Sequence, residues 1–280
     1  MSNKIESAGR LDWREFRNPN NVKAYRESDK NPVIVPLRAT AEADGANLRP
    51  ASSEIRGGPG FRVNTQFETV SGRQIQQLSE FETPEISDAL NRMFTMDPAI
   101  RNVVNEQPLF GPAITVKVFP GDNLMVHKAL DIARPGDVIV VDTSGLPRNA
   151  SVGDMIGNKA KHIGVAGFVI DGLVRDISGL REVGLPVYAT GITAFGPLHR
   201  GPGELCHAIS CGGIVVNAGD AICADSSGIV VVNKNFVEET ISHLRKQRKS
   251  LEDYTANVKK GKFSNEWVDR QLSLDGCLYE

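Results

Sequence analysis

Three charged groups between Gly153 and Asp176 have the types and spacing to do chemistry: Asp154, then residues 155 to 174, then Arg175 and Asp176. Gly153-Asp154 opens a helical pattern, so the amides of Met155 and Ile156 point at any anion that approaches. A carboxylate substrate would fit there. Two carboxylates with an arginine between them in space suit a hard divalent cation, magnesium-like or manganese-like. Asp176 would be a direct oxygen ligand and Asp154 a ligand directly or through water, with the remaining positions left to water and substrate. Arg175 would stabilise a substrate oxyanion with a planar fork that lysine reproduces poorly. The plainer alternative is that Arg175 pairs structurally with an acid and that Asp154 only caps a helix, since acids are common at helix starts. Spacing alone favours the plainer reading, because acids at helix starts and Arg-Asp neighbours are frequent.

The elements around these residues must bring them together. The helix from Met155 to His162 runs about 12 Å at ~1.5 Å per residue, and the strand Val165 to Ile170 returns about 20 Å at ~3.3 Å per residue. Asp154 and the Arg175-Asp176 pair are therefore expected to meet at the carboxyl edge of a sheet, where open α/β folds place ligands. Asp171-Gly172 reads as the turn that aims Arg175 and Asp176 into the crevice. Upstream, Thr83-Pro84-Glu85 reads as an N-cap, with a helix through Met93 whose apolar face is Ile86, Leu90 and Met93. Ala113 to Phe119, Val138 to Asp142 and Gly167 to Ile170 read as strands, and Asp122 to Ala133 and Asp154 to His162 as helices. Strand alternating with helix predicts an α/β arrangement with a largely parallel sheet.

After Val187 the pattern changes to successive strands at Gly213 to Val216, Ala221 to Ala224 and Gly228 to Val232. Asn235 then reads as the cap of a terminal helix, with Glu238 and Glu239 in its first turn and Arg245, Lys246, Arg248 and Lys249 toward its end. That charge order suits the helix dipole and makes the basic cluster a solvated face. The first 82 residues are punctuated by Asn18-Pro19, Asn31-Pro32, Arg49-Pro50 and Gly57-Gly58-Pro59-Gly60. Trp13, Phe16, Val33-Ile34-Val35, Phe61 and Phe67 give this arm apolar anchors for its own core or a neighbouring subunit. The expected division is an arm over 1–82, an α/β core over 83–232 and a helical tail over 233–280.

Composition narrows the class. The 32 basic and 34 acidic residues leave a formal charge of -2, against a general electrostatic nucleic-acid binder. The longest apolar run, Gly164 to Ile170, falls far short of the roughly 20 residues of a membrane helix. Met-Ser-Asn-Lys-Ile-Glu-Ser has no apolar h-region, and four cysteines without a CxxC fit a reducing cytoplasm. His199, Cys206, His207 and Cys211 could be drawn as a soft-metal site, but their spacing matches no common zinc pattern and they read as loop or core residues. His127 reads as a core or interface histidine. Gly201-Pro202-Gly203 lacks the Lys-Ser/Thr of a phosphate loop.

Residues 83 to 232 resemble the RraA-like proteins and class II 4-hydroxy-4-methyl-2-oxoglutarate / 4-carboxy-4-hydroxy-2-oxoadipate aldolases. The family's Asp-x20-Arg-Asp pattern falls on Asp154, Arg175 and Asp176. Ile86 to Leu90, Gly111 to Val116, Pro135 to Asp142 and Gly167 to Asp176 look like its other signature segments, in the same order. The resemblance implies a swivelling β/α layered domain with a central, largely parallel sheet and, here, helical terminal extensions. It implies a lyase with a divalent metal, Mg2+ or Mn2+, held through Asp176, with Asp154 holding a water on that metal. The small 2-oxo acid would place its pyruvyl carboxylate on the amides of Met155 and Ile156, beside Gly153, with Arg175 bridging substrate and enolate. In such enzymes the metal's water takes the C4-hydroxyl proton, the C3–C4 bond breaks, and a pyruvate enolate forms; oxaloacetate decarboxylation reaches the same enolate. The resemblance further implies a homotrimer or homohexamer with an acid from the adjacent chain near the metal. Two departures bear on the substrate: Met155-Ile156-Gly157-Asn158 replaces the usual Leu-Leu-Ala wall, and Asn217-Ala218 stands where Arg-Pro is usual. The alternatives are a non-enzymatic regulator binding a protein partner such as a ribonuclease, and a sugar-acid or citrate-like lyase on the same scaffold.

Overall fold

The β-branched runs and helical patterns assemble into a sheet flanked by helices in a computed structural model that describes Ser52 and residues 54–145 and 148–278; everything below belongs to the unit Ile55–Glu280. The chain first forms β1 (Phe61–Val63), α1 (Gly72–Leu78), α2 (Thr83–Ala89), β2 (Arg101–Asn102), β3 (Leu109–Val118) and α3 (Leu124–Ile132). Next come β4 (Val138–Asp142), β5 (Ala150–Val152), α4 (Asp154–Ile163), β6 (Gly167–Val174), α5 (Ile177–Val183) and β7 (Val187–Ile192). Short strands β8 (Gly203–Leu205), β9 (Ile209–Cys211), β10 (Ile214–Val216), β11 (Ala221–Asp225) and β12 (Gly228–Val232) follow, then α6 (Val237–Lys259) and α7 (Glu266–Leu274).

Strands β3, β4, β6 and β7 pair in parallel, in that spatial order, and β5 adds to β6 in parallel. This is the α/β fold with a largely parallel central sheet. Antiparallel β8, β11 and β2 extend it at the edges. Both faces are covered, so the central strands carry unbroken apolar runs: Val138–Asp142 is buried throughout. On one face Ile139, Val141, Phe168 and Ile170 pack against Val126 and Ala129 of α3, Ile156 and Ala160 of α4 and Leu180 of α5. On the other, Val138, Val140 and Val169 meet Ile209, Val216, Ile222 and Ile229. A third cluster joins Leu78, Ile86, Val237, Ile241 and Leu244 beneath α1, α2 and α6.

Several local expectations are corrected. The helix at 83 ends at Ala89, because Asn91 and Arg92 adopt positive φ, and Met93 is 70% exposed instead of completing an apolar face. Its N-cap is Glu82: the Thr83 amide and hydroxyl donate to the Asp225 carboxylate instead. Asn235 caps nothing. Asn233 accepts the Asn235 amide in a 3-10 turn, and α6 starts at Val237 and continues to Lys259, which leaves the basic residues mid-helix. Arg248 there donates to Glu85 and lies 4.0 Å over the Phe81 ring. Burial pushes the Glu85 carboxyl up, but the Arg248 hydrogen bond, the Glu82 amide and the Arg248 charge together outweigh it and hold the pKa below its ordinary value. Phe61 and Phe67 pack on the core, whereas Trp13, Phe16 and Val33-Ile34-Val35 lie outside the described residues. Among the described residues no helix is long and apolar enough to cross a membrane.

Candidate active site

Asp171-Gly172 makes no turn. β6 runs through both residues to Val174, since backbone pairing and side chains from neighbouring segments hold them extended. The Asp171 carboxylate accepts the Gly212 amide, and the Thr190 hydroxyl donates to the Gly172 carbonyl. A register irregularity between Ile170 and Leu173 absorbs the local distortion. The chain turns two residues beyond the strand, at Asp176, whose φ of 56° is left-handed. Aspartate tolerates that conformation better than most residues. Asp176 is the N-cap of α5 yet makes no capping hydrogen bond. Its carboxylate is turned instead to Arg175, with Oδ2 3.1 Å from Nε.

The start of α4 completes the arrangement. Its N-cap is Gly153, with no side-chain cap, so the first-turn amides of Met155 and Ile156 are left for another acceptor. Asp154 is the first helical residue and not the cap. Glycines make the room: a Cβ at Gly153 would stand 2.5 Å from Asp176 Oδ2, one at Gly179 2.6 Å from Asp154 Cβ, and one at Gly196 2.5 Å from Arg175 Nη1. Gly153→Ala is therefore expected to displace the Asp176 carboxylate while the backbone stays put, because the clashing atom is the end of a side chain. A stability loss of about 1 kcal/mol, the ordinary cost of alanine at an N-cap, should accompany a large loss of turnover. Thermal melting and steady-state kinetics on the one variant check both halves.

Gly153, Asp154, Met155, Ile156, Arg175 and Asp176 line one cavity of about 180 Å3 at the carboxyl ends of the parallel strands. At ~30 Å3 per water, that holds roughly six waters or a small acid. Each proposed site residue is thus brought together. The Arg175–Asp176 pair is about 40% exposed on both sides (43% and 41%), where an ion pair contributes under ~1 kcal/mol, so stability gives little reason for it. Both carboxylates are hard oxygen donors of the kind a divalent cation selects. Among the described residues no three His, Cys, Asp or Glu side chains group to hold a metal, and the carboxylates lining this cavity are those of Asp154 and Asp176.

The other wall was missed in the sequence. Asn123, His127, Ser151, Pro197 and His199 also line the cavity. Asn123, 3% exposed, donates through Nδ2 to the Ser151 carbonyl at 3.0 Å and faces His199 Nδ1 through Oδ1 at 2.6 Å. The loop carrying His199 is clipped to the loop before α3: Leu198 N donates to Gly121 O, Asn123 N to Leu198 O, and Arg200 N to the buried Asp122 carboxylate. A polar Asp122-Asn123 pair just after a parallel strand is the signal that could have located this wall. His127 stands edge-on to His199, ring centroids 5.4 Å apart. Burial, then the charges of Lys159 and His199, push the His127 pKa below its ordinary value against the opposing pull of Asp122, which favours the neutral ring. The soft-metal cluster does not form. Cys206 and Cys211 are buried in cores on opposite faces of the sheet, and burial pushes the Cys206 thiol up to about 12. A larger open groove of about 810 Å3 between α3 and α4 shares His127 but lacks the arginine and its carboxylate partners.

The substituted wall also has a structural reason. Met155 is 71% exposed while Ile156 is buried, and Gly157 allows α5 to approach, since a Cβ there would lie 2.8 Å from Leu180 Cδ2. Asn217 and Ala218 lie away from the cavity, where Asp220 accepts the Asn217 amide and Lys234 donates to the Ala218 carbonyl.

Residues 83–231 match the family model described as RraA-like, Aldolase/RraA. This chain belongs to the RraA-like family. A protein of Halalkalibacterium halodurans named "Putative 4-hydroxy-4-methyl-2-oxoglutarate aldolase" is 37% identical over 174 residues, covering 62% of this chain and 83% of that one. A Hahella chejuensis protein of the same name is 33% identical over 153 residues, covering 54% of this chain and 93% of its own. The crystal structure of Streptomyces coelicolor RraAS2, described as an unusual member of the RNase ES inhibitor RraA protein family, superposes with TM-score 0.62 at 25% identity, covering 68% of this chain and 99% of that chain. The relatives support an aldolase or lyase activity at the level of the RraA-like family.

Proposed function

We propose that this RraA-like protein is a divalent-metal-dependent carbon–carbon lyase that cleaves a hydroxylated 2-oxo dicarboxylic or tricarboxylic acid through a pyruvate enolate, and decarboxylates oxaloacetate by the same route. The observation that carries this reading is the convergence of Arg175, Asp176, Asp154 and the uncapped amides of Met155 and Ile156 on one small cavity. Asp176 would hold Mg2+ or Mn2+ directly, and Asp154 directly or through water. That cation, when bound, polarises the 2-oxo oxygen and offsets the charge that develops there. Met155 and Ile156 amides, at the positive end of the α4 dipole, receive the substrate carboxylate. Arg175 turns its guanidinium to the enolate oxygen, an interaction stronger in the transition state than in the ground state. Two carboxylates from one chain leave room for an acid from a neighbouring subunit, as in a homotrimer or homohexamer acting in the cytoplasm.

Pyruvate release from oxaloacetate and from 4-hydroxy-4-methyl-2-oxoglutarate tests the reading, with magnesium and with chelator. Release that chelator abolishes and magnesium restores is expected; no release from either acid, with no metal bound, removes it. The likeness to the Streptomyces protein favours a second reading, a regulator that binds a protein partner such as a ribonuclease. Inhibition of a ribonuclease by a chain inert toward both acids would decide for it.

A further inference from the structure

We infer that the helical tail, α6 beyond Arg248 together with α7, is a self-pairing surface whose occupant is the same tail of a second copy of this chain, running antiparallel across a two-fold axis. The stripe that seats α6 on the body is Val237, Ile241 and Leu244, followed by Arg248 on Glu85. The same alternating three- and four-residue spacing continues outward through Leu251 and Val258, with Tyr254 beside them, where the stripe becomes exposed. The chain then turns at Gly261, φ 70°, with the Gly261 and Lys262 amides closing on the Val258 and Asn257 carbonyls. Beyond the turn, α7 presents Trp267 and Leu274 on one face. With Phe263 in the turn, these six side chains are 39% to 75% exposed.

Left uncovered, this tail is a poor helix and a poor surface. α7 has nine residues and none of them is buried, whereas isolated helices shorter than ~12–15 residues are marginal in water. A fully covered aromatic side chain buries ~150–250 Å2, so at these exposures the three aromatic and three aliphatic chains offer on the order of 500 Å2 of apolar surface. A standard interface takes ~800 Å2 per partner, of which ~56–58% is non-polar, so the tail carries the apolar area that one such interface uses. Contiguous apolar surface of this extent marks an interaction site.

Charge names the occupant. In chain order the exposed charges of the tail fall in four blocks of alternating sign. Arg245, Lys246 and Lys249 are followed by Glu252 and Asp253, then by Lys259, Lys260 and Lys262, then by Glu266, Asp269 and Asp275 against the single Arg270. Among the described residues none of these side chains makes an ion pair within its own chain. Two copies laid parallel would set like blocks against each other. Laid antiparallel, every basic block meets an acidic one, with the apolar face between them, which is the self-complementary contact of a two-fold dimer. The tail lies past the segment 83–231 matched to the family, so this pairing does not depend on the lyase reading.

Light scattering on the full chain tests the pairing. The parent is expected to contain an even number of copies, and the double variant Phe263→Asp, Trp267→Asp half that number. Both side chains are exposed, so circular dichroism of the body should not change. Equal masses for parent and variant overturn the inference, as does a parent with an odd number of copies. A charge exchange separates self-pairing from capture of something else. Glu266→Lys with Asp269→Lys, and separately Lys246→Glu with Lys249→Glu, should each weaken association by roughly 10-fold or more, because each sets like charges opposite one another. An equal mixture of the two variants should regain the parent's mass as a mixed species, resolved by native mass spectrometry. A mixture that stays at half the mass overturns the antiparallel pairing. Binding to anionic lipid vesicles by a parent whose mass the variants share would give this face to a membrane surface instead and overturn the inference.

Discussion

Arg175→Ala is expected to reduce turnover of any accepted 2-oxo acid by about 10²–10³-fold while the fold survives. The guanidinium is 43% exposed and packs on no core, so its loss opens no cavity, and its ion pair with Asp176 adds little stability. What disappears is a planar donor aimed where enolate charge develops, and loss of one such donor in other enzymes costs 10²–10³-fold in kcat. Arg175→Lys should recover only part, because a point charge does not reproduce the two-pronged geometry. Unchanged melting beside lost pyruvate release is the expected pair of results. Activity near that of the parent would show that the arginine is structural.

Asp176→Asn should carry the second large effect. Asparagine keeps the volume and tolerates the left-handed backbone at this position, so the variant removes charge without adding the strain that alanine would. Magnesium or manganese affinity, read by calorimetry on the unliganded protein, should drop at least ~10-fold, and turnover should drop with it. An unchanged metal titration would remove Asp176 from the ligand set. Comparing the two variants is informative in itself: Arg175→Ala should spare metal binding and Asp176→Asn should not.

The sequence made part of this site legible. Asp154, Arg175 and Asp176 lie within one helix–strand unit, whose lengths alone bring them to one edge, and Val138 to Asp142 was bounded as the structure has it. What local pattern could not supply were features decided by distant partners. Asp171-Gly172 has the chemistry of a turn, but a central strand with neighbours on both sides overrode it. Asn123 and His199 are 76 positions apart and meet because Gly121, Asp122 and Asn123 clip the far loop through hydrogen bonds to Leu198 and Arg200. Asn235 resembled a cap, but Asn233 caps a 3-10 turn that takes up Asn235 and delays the terminal helix to Val237.

The glycines around the charged groups have a consequence for how this protein can change. Gly179 sits inside α5, where alanine would ordinarily gain about 1 kcal/mol of helix propensity, yet a methyl group there collides with Asp154. Gly153 and Gly196 likewise border Asp176 and Arg175 without occupying a left-handed conformation. Any gain in helix propensity at Gly179 therefore comes only with displacement of Asp154, so stabilising this position would erode the chemistry. In a saturation scan scored on activity, these three positions should tolerate substitution less than their exposure suggests; scored on folding, Gly179 should pull apart from the other two.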